Sequence, residues 1–548
     1  MWKTNSLFLL ILLLVYSVLL QEKAAACTDI IVGKKATVDG SVITSHTDAC
    51  ENSRLHVVPA GVFEKGTMAP VYYGIQDPER PQHDYGEIIG YIPQAESTYA
   101  YFHSGYSQMN EHQLAIGEST TSQKEELKVN LDTGKQIMTI EQAMIFALQR
   151  CRKAKDAIRL ITSLVDKYGF LPSCGDESET LCIADPDEAW VLEVFSVGPD
   201  WDPESGEPGA LWAARRVPDD HITIVPNWSI IREIDLNRPD EYMASQNYMQ
   251  VAIDHGWYDP ESGEPFIWQE IYAPIPREWA ISRLWLFYAT FAPSHKEWPN
   301  KWLDEPYKNY DPYHQFLEPI SIYPFSAKPD KKLSVQDIIV FQRSVFEGTI
   351  YDMTADTDWL IPDGEGSMMK SPLTTPFPTP DMRNLLDITF RRNVSKGGYG
   401  MIAQLRGWLP DPIGGVYWFY VDNQYVSTYV PIYAGVRKIH PSYREYDPEK
   451  YSGSSVRWAV DFVDNLLYLK WQEAIIDVRE VRDPLEAGFF AERETVDSEA
   501  LELYGKDPVK AREFLTEYTC ERMASVIQMY SELRDLLITK YSNNRVRP

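Results

Sequence analysis

The order of apolar and polar positions divides the chain into three stretches. The first is one apolar run, Leu7 to Leu20, of 14 residues, short of the roughly 20 that span a bilayer. From Cys27 the pattern changes to short runs rich in β-branched residues. "TDIIVG", "SVITSH" and "LHVVPAG" predict strands, parted by the turn segments "KKATVDG" and "DACENS". "TIEQAMIFALQRCRKAKDAIRLITSLVDKYG" takes up helical period, with Thr139 placed to cap its start and Gly169 to end it. "ETLCIADPDEAWVLEVFSVG" predicts a hairpin that turns at Asp185-Pro186-Asp187-Glu188. "HITIVPNW" reads as a further strand, "PREWAISRLWLFYATFA" as a helix, and "GYGMIAQLRGWLPDPIGGVYWFYVDNQYVSTYVPIYAG" as β-rich again. In the third stretch, Ser454 to Tyr541, apolar residues recur at three- and four-residue spacing, which predicts a mainly helical end. Its Met and Leu stripes read as packing surface.

The short apolar run gains meaning from its flanks. Lys3 precedes it, and Ala24-Ala25-Ala26 follows with the small-residue pattern of a signal-peptidase site. Residues 1–26 therefore read as a secretory signal, and no later segment is apolar enough for a membrane helix. The mature chain is expected to begin at Cys27 and to work in the periplasm or outside the cell. The full chain carries a net charge of −28, and residues 1–26 contribute two lysines and one glutamate to it. So acidic a protein repels phosphate backbones, which argues against a nucleic-acid partner. The composition, 44% hydrophobic and 13% aromatic, is that of a folded chain with a large core.

Six cysteines follow the leader: Cys27, Cys50, Cys151, Cys174, Cys182 and Cys520. In an oxidising compartment they have the option of pairing, and Cys174 and Cys182 are close enough to close a loop, though spacing assigns no bond. No CxxC or HExxH spacing occurs, so no metal site is indicated. "DPESGEP" stands twice, at Asp202–Pro208 and Asp259–Pro265; both copies read as turns, without the alternating ligands of a calcium loop.

Cys27, at the expected cut, admits three readings: a lipid anchor, half of a disulfide, or a nucleophile. The anchor is disfavoured because Glu22-Lys23 follows the apolar core and Ala24 stands where a lipoprotein signal usually has leucine. A nucleophile is chemically sound if the cut falls directly before it. An α-amino group titrates near 7.7–8.0 and a thiol near 8.5, so a free N-terminal cysteine carries its own general base.

"CTDIIVGKKATVDGSVITSHTD" closely resembles the start of the dipeptidase A-type enzymes, a branch of the cysteine N-terminal-nucleophile hydrolases related to choloylglycine hydrolase and penicillin V acylase. That branch begins Cys-Thr-x-Ile, then Val-Gly-Lys-Lys-Ala and Asp-Gly-Ser, all present at Cys27, Thr28, Ile30, Val32–Ala36 and Asp39–Ser41. Further landmarks, "MNEHQLAIGEST", "CIADPDEAWVLEV", "RRVPDDHITIVPNW", "SRLW", "GTIYDMT" and "LRGWLPDPIGGVYW", follow in order.

The resemblance implies an α+β fold, an αββα sandwich of two stacked antiparallel sheets between helical layers. It implies a catalytic domain over 27–440, with 441–548 a helical region packed on it. It makes Cys27 the nucleophile, Asp48 the holder of its amino group, Asn227 an oxyanion donor and Arg283 an active-site arginine. His46 stands where many relatives have arginine, which puts a thiolate-stabilising charge in doubt or makes activity pH-sensitive. Glu118 falls where acylase relatives have a second oxyanion asparagine, and is a candidate to bind a substrate ammonium.

The implied activity is hydrolysis of short peptides by an exported cysteine dipeptidase that needs no metal or organic cofactor. Members of the group often assemble as homo-oligomers, an open expectation here. Two rivals stand beside this reading: another amide hydrolase of the same superfamily, acting on conjugated bile acids, acyl-amines or cell-wall peptides, and a lipidated, non-catalytic binding protein.

Overall fold

The computed structural model describes residues 27–49, 52–76, 86–173, 177–273, 278–295, 323–388, 393–394 and 397–547. The expected leader, Cys50 and Cys174 lie outside the described residues; Cys151, Cys182 and Cys520 are free thiols.

Fourteen strands build two antiparallel sheets. In chain order they are β1 (Asp29–Val32), β2 (Val42–Asp48), β3 (His56–Val58), β4 (Tyr101–His103), β5 (Ser107–Asn110), β6 (Ala115–Thr121), β7 (Ser178–Ala184), β8 (Ala189–Phe195), β9 (Leu211–Val217), β10 (Ile222–Val225), β11 (Tyr242–Ala244), β12 (Tyr399–Leu405), β13 (Gly415–Val421) and β14 (Val430–Tyr433). One sheet runs β10-β1-β2-β12-β13-β14, and the other β11-β9-β8-β7-β6-β5-β4-β3. Every residue of β1, β2, β7, β8, β12 and β13 is buried, as expected of strands covered on both faces.

What covers them is partly the other sheet. β2 lies against β6 and β7, and β1 against the same pair. Thr44 Oγ1 donates to the Cys182 carbonyl at 3.4 Å across the gap. Gly117 marks the closest approach, since a Cβ there would stand 2.6 Å from the Ser45 carbonyl oxygen and 3.1 Å from the Asp29 carboxyl. Only glycine lets the sheets meet so closely at that point.

Helices cover the outer faces. α1 (Ile140–Arg150) and α2 (Ala154–Tyr168) pack on the eight-stranded sheet. On the six-stranded sheet lie α3 (Glu278–Phe291), α4 (Val335–Gln342), α5 (Val456–Leu467), α6 (Trp471–Lys506) and α7 (Pro508–Tyr541). The architecture is α+β with antiparallel sheets and a helical C-terminal region. The hydrophobic core beneath α5, α6 and α7 is continuous with the core between the sheets.

The hairpin at 185–188 forms as its turn residues require, and Asp185 also caps α2 by accepting from the Ala154 N–H at 2.8 Å. Thr139 caps α1, and Gly169 ends α2 at φ +72°. The single helix suggested by 139–169 is in fact two, because Cys151 turns extended (ψ 152°) where Asn110 Nδ2 bonds the Leu148 and Cys151 carbonyls. The opposite happens in α6, which runs on through Pro484. Just beyond the proline, Glu486 accepts from both terminal nitrogens of Arg343 (2.8 and 2.7 Å) and from the Tyr429 N–H, a charge-assisted clamp that holds the helix to the sheet. The two DPESGEP segments fold into the same exposed turn: Asp202 and Asp259 each accept from the N–H two residues on, and Gly206 and Gly263 both take φ +79°.

Candidate active site

Register brings the candidate residues together. β1 pairs with β2 as Ile30↔Ser45 and with β10 as Asp29↔Val225. Carried on to Cys27, the two registers set it opposite Asp48 on one side and Asn227 on the other. The thiol then lies 4.0 Å from Asp48 Oδ1, and the Thr28 N–H donates to Thr47 Oγ1 at 2.9 Å. Strand alternation turns Cys27, Asp29, His46 and Asp48 toward the second sheet, and Thr28 and Thr47 away from it.

Arg283, on α3, reaches this corner from the outer face and is fully buried. Its Nε donates to the Trp279 carbonyl (2.9 Å), Nη1 to the Cys27 carbonyl (2.5 Å) and Thr28 Oγ1 (2.7 Å), and Nη2 to the Pro226 carbonyl (2.7 Å) and Asn227 Oδ1 (3.1 Å). These five bonds use all five guanidinium N–H groups. Arg283 is thereby a positioning residue that fixes the Cys27 carbonyl and the Asn227 amide in one frame.

Asn227 takes the left-handed backbone (φ +58°), which asparagine tolerates better than most residues. Its N–H donates to Ser119 Oγ at 3.0 Å and its Nδ2 to the Thr120 carbonyl at 2.9 Å. Arg283 on Oδ1 and the Thr120 carbonyl on Nδ2 fix the orientation of the amide, and one Nδ2 hydrogen is left beyond these bonds. Downstream, the buried Glu193 accepts from Ser229 Oγ (2.6 Å), the Ile230 and Ile231 N–H groups (2.7 and 3.0 Å) and Trp268 Nε1 (2.8 Å). Four donors on one carboxylate pin the segment that leaves Asn227.

His46 and Glu118 sit differently from their expected roles. His46 is fully buried, and its Nδ1 lies 2.8 Å from the Glu118 carbonyl oxygen and 3.2 Å from Asp29 Oδ1. Burial pushes its pKa down to about 4, so the ring is neutral through the physiological range. A neutral ring does not supply the charge of the arginine that many relatives have here, the doubt the sequence raised. The Glu118 side chain, by alternation, leaves β6 on the face opposite Gly117 and Ser119. There its Oε1 accepts from Thr120 Oγ1 at 3.4 Å, in a fully buried setting shared with Glu179, Tyr106 and Glu141 of α1. The structure thus does not bring the Glu118 carboxyl beside Cys27 to meet a substrate ammonium.

Burial raises Glu118 from its usual 4.5 to about 7, with the charge on Asp48 pushing the same way. Between these values the folded chain keeps a proton that the unfolded chain releases, so stability falls as pH rises from 4.5 to 7. Glu118→Gln removes that loss: its melting temperature relative to the parent should climb across this window in thermal unfolding scans. A constant difference from pH 4.5 to 8 would refute the assignment.

Asp29, Ser119, Thr120, Glu179 and Glu193 were not singled out in the sequence. One signal was present: Asp29 in "DIIV" and Glu193 in "WVLEVF" are acids inside apolar strand runs. An acid there must be buried, and so must be hydrogen-bonded or protonated.

A cysteine at the head of a central strand, a carboxylate against its thiol and an amide donor held by a saturated arginine define a cysteine-type peptide hydrolase. The Peptidase family C69 profile matches residues 26–483, and the chain belongs to that family. Among similar proteins are a probable dipeptidase of Latilactobacillus sakei, 24% identical over 469 residues (83% of this chain, 84% of the relative). A probable dipeptidase B of Streptococcus pyogenes serotype M1 is 22% identical over 556 residues (99% and 98%). Dipeptidase A of Lactobacillus helveticus is 22% identical over 434 residues (76% of each chain).

Proposed function

We propose that this chain is an exported cysteine dipeptidase of the N-terminal-nucleophile type, with Cys27 uncovered by removal of residues 1–26. The observation that carries the reading is the corner itself: a thiol 4.0 Å from Asp48 Oδ1, on the residue that faces Asn227 across the strand pair. The Cys27 thiol passes its proton to its own α-amino group, which Asp48 holds, and the thiolate attacks the peptide carbonyl. The Asn227 Nδ2–H donates to the oxygen that becomes negative. The ammonium protonates the departing amine; the freed amine then activates water, which releases the acyl group and restores the thiol.

Two facing antiparallel sheets with outer helices support the N-terminal-nucleophile fold, with 27–440 as the catalytic unit. The names of the relatives support dipeptides as substrates, and Ala24-Ala25-Ala26 after the apolar run supports export.

Protein beginning at Cys27 should hydrolyse dipeptides faster than bile-acid conjugates or simple acyl-amines in a substrate panel. Cleavage of the latter with no dipeptide turnover would move the chain to the rival amide hydrolases. Asn227→Ala should lower kcat about 10²–10³-fold, the cost of one oxyanion donor, with little change in KM. An unchanged kcat would remove Asn227 from the mechanism.

A further inference from the structure

Beneath the nucleophile two side chains that the mechanism does not use touch each other. Asp29, two residues after Cys27, and His46, two before Asp48, lie 3.2 Å apart and are both fully inaccessible to solvent. Asp29 falls at the unspecified third position of the Cys-Thr-x-Ile start, and His46 is the departure from arginine.

The hydrogen bonds fix what the pair does. His46 Nδ1 meets the Glu118 peptide at two points, its carbonyl oxygen at 2.8 Å and its N–H at 3.2 Å; the oxygen can only accept and is the nearer, which assigns the proton to Nδ1. That one N–H reaches across from β2 to the β6 backbone, at the residue before Ser119. Ser119 Oγ in turn holds the Asn227 N–H. A continuous path thus runs from Asp29 through His46 and the Glu118-Ser119 backbone to the oxyanion amide.

The surroundings fix its charge. Asp29 Oδ2 and His46 Nε2 have no hydrogen-bond partner among the described residues. Facing the pair are Asp48 on β2 and the Cys182 thiol on β7, with the rings of Tyr106 and Tyr399 against the imidazole, and the Glu118 carboxyl acts on Asp29 from the far face of β6. The charge-bearing neighbours are acids. An ionised carboxylate oxygen without a donor, among other acids and out of water, costs far more than an unpaired hydroxyl. Burial and the nearby Glu118 and Asp48 charges accordingly raise Asp29 well above the usual carboxylate range, and burial lowers His46.

We propose that Asp29 and His46 form a neutral positioning pair, a carboxylic acid against an Nδ1-protonated imidazole, that sets the β6 backbone and through it Asn227. Kept uncharged, the pair leaves Asp48 as the carboxylate that meets the α-ammonium group of Cys27.

The test has a spectroscopic arm, independent of the hydrolase reading, and a kinetic arm that rests on it. The infrared difference between the native chain and Asp29→Asn at neutral pH should show loss of a protonated-carboxyl band; loss of carboxylate bands would overturn the proposal. Nitrogen-15 spectra of labelled histidine, with His46 assigned through His46→Asn, should show a neutral, Nδ1-protonated ring from pH 5 to 8; an imidazolium would overturn it. In the kinetic arm, His46→Asn keeps an N–H where Nδ1 stood, whereas His46→Gln moves it to the Nε2 place. The glutamine variant should have a kcat about 10-fold or more below the asparagine variant at similar KM, in keeping with the rate cost of misplacing a site by about 1 Å. Equal kcat values would refute the positioning role. If the glutamine variant does not fold, the two spectra still decide, since neither uses it.

Discussion

Protein that keeps one residue ahead of Cys27 is expected to hydrolyse dipeptides about 10²–10⁴-fold more slowly than protein that begins there, the usual contribution of a placed general base. In the longer form the Cys27 nitrogen is an amide without a basic lone pair. In the mature form it is an amine, and moving the thiol proton to it costs only about 1 kcal/mol on reference pKa values. Initial rates on one dipeptide, with each N-terminus confirmed by mass, decide the matter. Cys27→Ala should be inactive in either form. Equal rates for the two wild-type forms would show that the amine is not the base, and lipid on Cys27 with no turnover would favour the anchor.

The sequence was most informative where local chemistry decides structure. Apolar strands such as "DIIV" and "GVYWFYV", the turn at Asp185-Pro186-Asp187-Glu188, the cap Thr139 and the stop Gly169 all form where their residues require. It failed where distant contacts decide. The break at Cys151 depends on Asn110, 41 residues earlier, and the passage of α6 through Pro484 depends on a clamp to Arg343, 143 residues away from Glu486. Periodicity carries no trace of such partners.

The site divides along the same line. The family landmarks pointed to Asp48, Asn227 and Arg283; the register of β1, β2 and β10 brings the first two to one corner, and α3 delivers the third. The same landmarks could not show that Glu118 and Ser119, adjacent in sequence, leave β6 on opposite faces. That depends on which parity of the strand meets the first sheet, and Gly117 settles it by admitting the Asp29 carboxyl. Nor does sequence reveal that His46 is neutral, since its pKa of about 4 comes from burial between sheets whose strands lie far apart in the chain.

Arg283→Lys should be the most damaging conservative change in the protein. Lysine offers three N–H donors on one point where the guanidinium directs five to separate acceptors. At least two of the Trp279, Cys27, Pro226, Thr28 and Asn227 oxygens lose their donor, and the bonds to Cys27, Thr28 and Pro226 are buried. Each buried acceptor left unpaired costs about 1–3 kcal/mol, so unfolding in denaturant should show a loss of about 2–6 kcal/mol. kcat should fall about 10²-fold or more, because the Asn227 amide is then free to turn its oxygen toward the developing oxyanion. Positioning through Asn227 makes a sharper demand. Once Asn227→Ala has removed the amide, Arg283→Lys has less left to spoil, and the double variant should retain more activity than the product of the two single losses allows. Fully multiplicative losses would mean that Arg283 acts on the nucleophile alone, through the Cys27 carbonyl, and that its bond to Asn227 is incidental to the reaction.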